Sequence, residues 1–279
     1  MKSFTGHVWE GRIFDARWAL ALLFFAAAAC AHSAPPQSEP APVVDTPQTR
    51  IESARELFTA MHDRYADNWY RTLRFSQSNT FYTQSGGQQK SRWVENLSVP
   101  GRLRIDFEPL SSKGGLLILN NRVTTFDNGK RVDHRRSIQA ILTLTADVYA
   151  IPPAITARRL DSLGINLVKF REDKLDKKRV YVVGGDKDDL ESSQVWVDAD
   201  KLVLVRIIQR EKRGERSIVT DTRVGQYKDV GGFLVAHEFV SLRDGKPYFK
   251  EEYEDVRVNE PMPPGIFDPS RWASSQPAG

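Results

Sequence analysis

From Leu73 onward the apolar residues recur at every second position, and the segments carrying them are joined by turns of only a few residues. Leu73, Phe75 and Phe81 share one parity, and Leu103, Ile105 and Phe107 alternate with Arg102, Arg104 and Asp106. That is the period of a strand with two unlike faces. Gly86-Gly87, Pro100-Gly101, Asn120-Asn121 and Asp127-Asn128-Gly129 punctuate the runs. Turns this short join antiparallel neighbours, because parallel strands need a crossover of about a dozen residues. A doubly wound parallel fold is therefore excluded over most of the chain. Strands are predicted at 70–84, 88–97, 101–108, 115–120, 122–127 and 130–134, and again at 166–171, 178–184, 193–198, 202–212, 216–228, 233–243 and 247–258.

Two stretches break this period. Thr49-x-x-Glu52 fits a capping box ahead of Ile51, Ala54, Leu57, Phe58, Met61 and Tyr65, which recur at helical spacing. Between Ser137 and Gly164 the pattern is helical again, is broken at Pro152-Pro153, and predicts a second helix to Leu163 with Gly164 as its cap. A meander of eleven to thirteen strands is too long to stay flat. The helices need cover for their apolar faces, so the expected fold is mainly β with some helix (α+β): a curled antiparallel sheet with the helices on its concave side.

The N-terminal stretch reads differently. Trp18 to Ala29 is an apolar run preceded by Lys2, Arg12 and Arg17, too short for a bilayer span and suited to a signal peptide. It ends in Ala27-Ala28-Ala29-Cys30, which resembles the lipobox of bacterial lipoproteins. That resemblance implies cleavage before Cys30 and acylation of its thiol, and Ala31 rather than Asp after the cysteine implies an outer-membrane destination. Cleavage after Ala31 and an uncleaved anchor also fit the segment. Ala31 to Thr49 holds five of the chain's fifteen prolines and reads as an extended tether. The expected organisation is a signal peptide at 1–29, a lipidated Cys30 with its tether at 30–49, a β domain at 50–272 and a disordered tail at 273–279.

Cys30 is the chain's one cysteine, which excludes internal disulfides and thiolate metal sites, and five histidines leave little material for a metal enzyme. Forty basic residues against 36 acidic ones are too balanced for nucleic acid. No phosphate-binding, dinucleotide, nucleophile-elbow or zinc-protease motif occurs. His62, His134 and His237 read as structural. Asp186, Asp188, Asp189 and Glu191 lack the spacing of a calcium loop and read as a solvated turn. Lys174, Lys177, Lys178 and Arg179 read as the charged guard of an edge strand or as an approach surface for anionic headgroups.

Four segments carry a resemblance. Pro100-Gly101-Arg102-Leu103-Arg104 with Pro109-Leu110 is similar to a strand of the lipoprotein-sorting carriers and receptors of the Lol pathway. Val195-Trp196-Val197-Asp198 with Leu202 to Arg206 resembles their central hairpin, Tyr227 to Phe239 their late strand pair, and Ile266-Phe267-Asp268-Pro269 their closing segment. The resemblance implies a half-open β-barrel of about eleven strands, lidded by its helices and holding acyl chains of lipid or lipoprotein in a hydrophobic cavity. Phe75, Trp93, Leu103, Ile105, Phe107, Leu117, Leu119, Trp196 and Phe239 are the candidate cavity residues; a filled core is the alternative for each. The carriers have a lid-latching Arg where this chain has Val99. The anchored receptors lack it and expose a Leu in the place of Leu110, a candidate membrane-contacting residue. The expected protein is thus a non-enzymatic, membrane-anchored, periplasm-facing lipid- or lipoprotein-binding lipoprotein, without cofactor or metal. The alternative is a structural or regulatory envelope lipoprotein that binds a protein partner.

Overall fold

The fold was obtained as a computed structural model that describes residues 50–275. The signal peptide, Cys30 and the tether lie outside the described residues. The first helix, α1 (Ala54–Tyr65), starts four residues later than the capping-box reading predicts. Ser53 is the cap: its Oγ accepts from the Glu56 N–H at 3.2 Å, and Glu56 Oε2 accepts from the Glu52 N–H at 2.8 Å. Ala54, Leu57, Phe58 and Met61 form its buried stripe.

Six strands follow as a meander: β1 (Thr72–Tyr82), β2 (Gln88–Ser98), β3 (Arg102–Phe107), β4 (Gly115–Leu119), β5 (Arg122–Asp127) and β6 (Lys130–Arg136). The insert comprises α2 (Ala140–Thr145), a 3-10 turn at Asp147–Tyr149 and α3 (Pro153–Asp161). Then come β7 (Phe170–Leu175), β8 (Lys178–Val183), β9 (Gln194–Asp198), β10 (Leu204–Arg213), β11 (Arg216–Gly225), β12 (Lys228–Val230), β13 (Phe233–Val235), β14 (Glu238–Arg243) and β15 (Lys246–Val258).

Thirteen strands form one antiparallel sheet in the order β6-β5-β4-β3-β2-β1-β15-β14-β11-β10-β9-β8-β7. The two edges, β6 and β7, are consecutive in the chain and do not pair, so the sheet does not close; the helical insert carries the chain from one edge to the other. Thirteen lies within the eleven to thirteen strands read from the alternation and exceeds the eleven that the resemblance implies, and three boundaries differ for local reasons. After Gly225 the chain turns out of the sheet at Gln226, whose φ is 51°, makes the separate hairpin β12–β13, and returns where the His237 N–H meets the Gly225 carbonyl at 3.0 Å. The strand expected at 166–171 starts instead at Phe170, because Asn166 folds a turn by accepting from the Val168 N–H at 3.1 Å. At the other end the fold runs past the expected limit at 272, since Ser275 donates its N–H to Arg271 and receives a bond from Arg104.

The sheet is apolar on both faces. Its inner face packs Leu73, Phe75, Leu97, Leu103 and Ile105 against Leu57, Phe58 and Met61 of α1 and against α2, which is buried all round. The outer face carries two smaller clusters, one of Leu117, Phe126 and Trp272 and one of Val180, Val182 and Trp196. Bulges at Arg74/Ser76, Thr125/Phe126, Leu204/Arg206 and Ser241/Leu242 increase local twist. Among the described residues no helix is long and apolar enough to cross a membrane.

Candidate functional site

The inner face of β1, β2 and β15 combines aromatic rings with a buried polar floor. On β1, alternation carries Leu73, Phe75, Gln77, Asn79 and Phe81 to one side; on β2, Ser91, Trp93, Glu95 and Leu97; on β15, Phe249, Glu251 and Tyr253. Their neighbours in register confirm that these meet: Gln77 lies opposite Trp93 and Tyr253, and Asn79 opposite Ser91 and Glu251. Phe75 and Phe239 both meet the Tyr253 ring edge-on, with centroids at 5.6 and 5.4 Å. Phe249 packs on Phe81 at 4.4 Å, and Trp93 on Phe107 at 5.1 Å.

Glu95, Glu251 and Gln77 have no exposed surface, and Asn79 almost none. Gln77 Nε2 donates to Asn79 Oδ1 at 2.7 Å, and the Tyr253 hydroxyl donates to Glu251 Oε2. Both Glu95 oxygens, Glu251 Oε1, Gln77 Oε1, Asn79 Nδ2 and Ser91 Oγ have no hydrogen-bond partner. Burial pushes the Glu95 carboxyl well above the ordinary carboxylate range, and the like charges of Glu251 and Asp106 push it further. Burial does the same to Glu251, opposed by the Tyr253 hydrogen bond.

The cover is tied down at its centre. Asp147, almost wholly buried, accepts from the Gly101 N–H at 2.8 Å and pairs with Arg159 of α3 at 2.5 Å. Burial raises its carboxyl despite these two partners. Tyr149 Oη donates to the Leu202 carbonyl at 3.2 Å and Tyr65 Oη to the Lys201 carbonyl at 2.6 Å, so the helices are also held to the β9–β10 turn.

Of the predicted cavity residues, the structure brings together Phe75, Trp93, Leu103, Ile105, Phe107 and Phe239 on the inner face. Leu117, Leu119 and Trp196 belong to the other side: the two leucines pack with Trp272, and Trp196 with Val180 and Val182. Strand β4 is apolar on both faces, so hydrophobicity alone could not say which of its residues point inward. Leu110 is half-buried at the start of a 3-10 turn, Leu110–Ser112, between β3 and β4. The polar floor escaped the sequence reading, yet a signal was present: Gln77, Asn79 and Glu95 hold apolar-parity positions of their strands.

The quoted motifs turn out to be fasteners of the outer face. Arg104 forks onto Asp106 at 2.7 and 2.8 Å and donates to the carbonyls of Ile266 and Trp272 and to Ser275 Oγ, with its guanidinium 3.9 Å from the Trp272 ring centre. Thus the strand and closing-segment motifs hold one another. Gly115 is required there, because a Cβ would lie 2.0 Å from the Ile105 carbonyl oxygen and 2.8 Å from the Trp272 ring. In the second motif Arg206 lies 4.8 Å from the Trp196 ring centre and forks onto Asp221 at 2.8 and 2.6 Å.

The remaining candidates are structural in their contacts. His134 Nδ1 bonds Thr124 Oγ1 at 2.8 Å, His62 pairs with Asp63, and His237 Nδ1 meets the Val235 carbonyl at 3.0 Å. Hydrogen bonds from the Ser192 side chain and from the Ser192 and Glu191 N–H groups draw the Asp189 carboxyl down to about 2, and Asp186 pairs with Lys169. No group of side chains among the described residues is arranged to hold a metal ion. The basic run lies along and beside the edge strand β7.

A single open antiparallel sheet with a helical cover between its two edges defines the class. Solved structures share this fold. A LolA superfamily protein from Nitrosomonas europaea aligns with a TM-score of 0.51 and 12% identity over 78% of this chain and 98% of that one. A DUF1329 family protein from Desulfovibrio piger aligns at 0.53 and 13%, over 78% and 97%. A putative outer membrane lipoprotein-sorting protein domain from Vibrio parahaemolyticus aligns at 0.52 and 11%, over 78% and 97%. No protein-family model matches the chain, and no curated protein matches it by sequence.

Proposed function

We propose that this chain is a membrane-anchored envelope protein that binds acyl chains of a lipid or lipoprotein between the inner face of its sheet and its helical cover. The carrying observation is the inner face itself, where Phe75, Trp93, Phe239 and Phe249, with Phe107 packed against them, share one apolar cluster with Leu57, Phe58 and Met61 of α1 and with α2. Rings packed under a separable cover offer an acyl chain contact on every side once the cover shifts, with affinity of about 0.8 kcal/mol per buried CH₂. The likeness of fold to lipoprotein-sorting proteins supports the same reading. Binding and release complete the cycle, with no covalent step and no cofactor. Anchoring is through an acylated Cys30 facing the periplasm, in the outer membrane, where the chain serves lipid or lipoprotein trafficking.

The test is direct. Native mass spectrometry and lipid extraction of the purified protein should recover bound acyl lipid, and a fluorescent fatty acyl probe should bind and be displaced by it. Absence of both overturns the reading and favours the protein-partner alternative.

A further inference from the structure

This inference rests on the acyl-binding reading above and concerns which headgroup the site accepts. The unpartnered atoms of the polar floor are unbalanced. With the carboxyls ionised four are acceptors, namely both oxygens of Glu95, Glu251 Oε1 and Gln77 Oε1, whereas each neutral carboxyl carries one O–H that can donate; Ser91 Oγ can act either way, and Asn79 Nδ2 alone is a pure donor. Buried polar atoms in folded proteins find partners as a rule, so such a cluster marks a place where a polar group belongs, and a donor-rich one once a carboxyl ionises.

Charge points the same way. Alternation puts no lysine or arginine on the inner face of β1, β2 or β3, nor of β15 from Phe249 to Val258. The basic residue it puts on that face of β14 is Arg243, two positions past Ser241, and its guanidinium lies 3.4 Å from the Tyr248 ring centre. Two carboxyls without a basic side chain between them repel a carboxylate or phosphate. An ammonium group supplies three donors and one positive charge, and the neighbouring rings of Trp93, Phe249 and Tyr253 add faces that attract a cation.

We propose that the inner face selects amphiphiles with an amine headgroup, held by Glu95 and Glu251 with Gln77 and Asn79 beside them, while the acyl tail runs along the apolar side chains. Burial favours the neutral form of the two carboxyls. An arriving ammonium ion therefore displaces a proton from the pair and leaves one carboxylate as its counter-charge.

Isothermal titration of the purified full chain at pH 7.5 with three probes of equal tail length tests this: dodecylamine, monolauroylglycerol and dodecanoate, each below its micellar concentration. Dodecylamine is expected to bind about tenfold more tightly than monolauroylglycerol, with dodecanoate weakest. Glu95→Gln/Glu251→Gln should erase the preference, so that dodecylamine and monolauroylglycerol bind this variant equally; Glu95→Gln alone, checked by circular dichroism, serves if the double variant does not fold. Equal binding of amine and neutral probes, or a preference that survives the glutamine variants, overturns the amine assignment and leaves acyl binding standing. If none of the three probes binds, acyl binding itself falls, and the amine assignment with it.

Discussion

The Asp147 carboxylate sits 2.8 Å from the Gly101 backbone nitrogen, joining the helical insert to the turn between β2 and β3. This is the turn at which the resemblance leads one to expect a latching arginine, and Val99 stands there instead. The latch is made from the other side, by a lid carboxylate reaching a strand-turn amide, with Arg159 at 2.5 Å as the counter-charge.

Asp147→Ala should therefore loosen the cover before it loosens the sheet. Removing one member of a buried ion pair costs about 3–5 kcal/mol. Hydrogen exchange is expected to accelerate across α2 and α3 while β1, β2 and β15 keep their protection. Asp147→Asn retains an acceptor for Gly101 and should show a smaller effect. Uniform acceleration through the whole sheet would mean that the insert is a core element and not a cover.

The alternation and the short turns made the antiparallel sheet legible, and Pro152-Pro153 marked the break in the insert, because those features are local. Facing was not legible in the same way. Leu117 and Trp196 lie in strands that are buried on both sides, so their direction depends on what covers the outer face, and that is the closing segment and neighbouring strands far away in sequence. Arg104 illustrates the same limit: the motif was visible, but its partners at Ile266, Trp272 and Ser275 are brought to it only by the completed fold.

The pair Glu95 and Glu251 should make stability fall as pH rises. Both carboxyls titrate above their ordinary value of 4.5 in the folded chain, so the folded state keeps protons that the unfolded chain gives up. Stability is then greatest below pH 4.5 and declines through the raised folded values, by about 1.4 kcal/mol per pH unit for each group. Urea unfolding of Glu95→Gln should show a variant more stable than the parent at pH 8 and equal to it near pH 4. A parent whose stability rises across that range would contradict the burial of these groups as neutral acids.

Arg104→Lys tests the fastening of the closing segment. Lysine has three donors on a point charge and cannot reproduce the fork onto Asp106 together with bonds to Ile266, Trp272 and Ser275. We expect a loss of about 3 kcal/mol in denaturant unfolding and faster proteolysis after Gly265, with inner-face ligand binding retained. Replacing both partners, as in Arg104→Met/Asp106→Leu, should recover part of the loss, since no uncompensated charge remains. A double variant as unstable as the sum of its singles would argue against coupling.

Leu110→Glu separates a surface role from a packing role. The side chain is half-buried in a three-residue turn, so if it contacts a membrane the variant should unfold within about 0.5 kcal/mol of the parent while delivery of acyl cargo to vesicles falls. A large loss of stability instead would make Leu110 part of the fold.

Cys30→Ala addresses the proposed anchor. Two or more acyl chains on one thiol-bearing residue hold a protein stably at a bilayer, whereas the tether and the domain offer no comparable apolar segment. Residues 50–275 build their own core without Cys30, so the variant should leave the unfolding midpoint of the domain unchanged. Fractionation should move the protein from the membrane pellet to the soluble periplasmic fraction, and mass spectrometry of the parent should find the acyl groups on Cys30. A variant that still sediments with the membrane would place the attachment elsewhere, in an uncleaved N-terminal segment or in the domain's own lipid contacts.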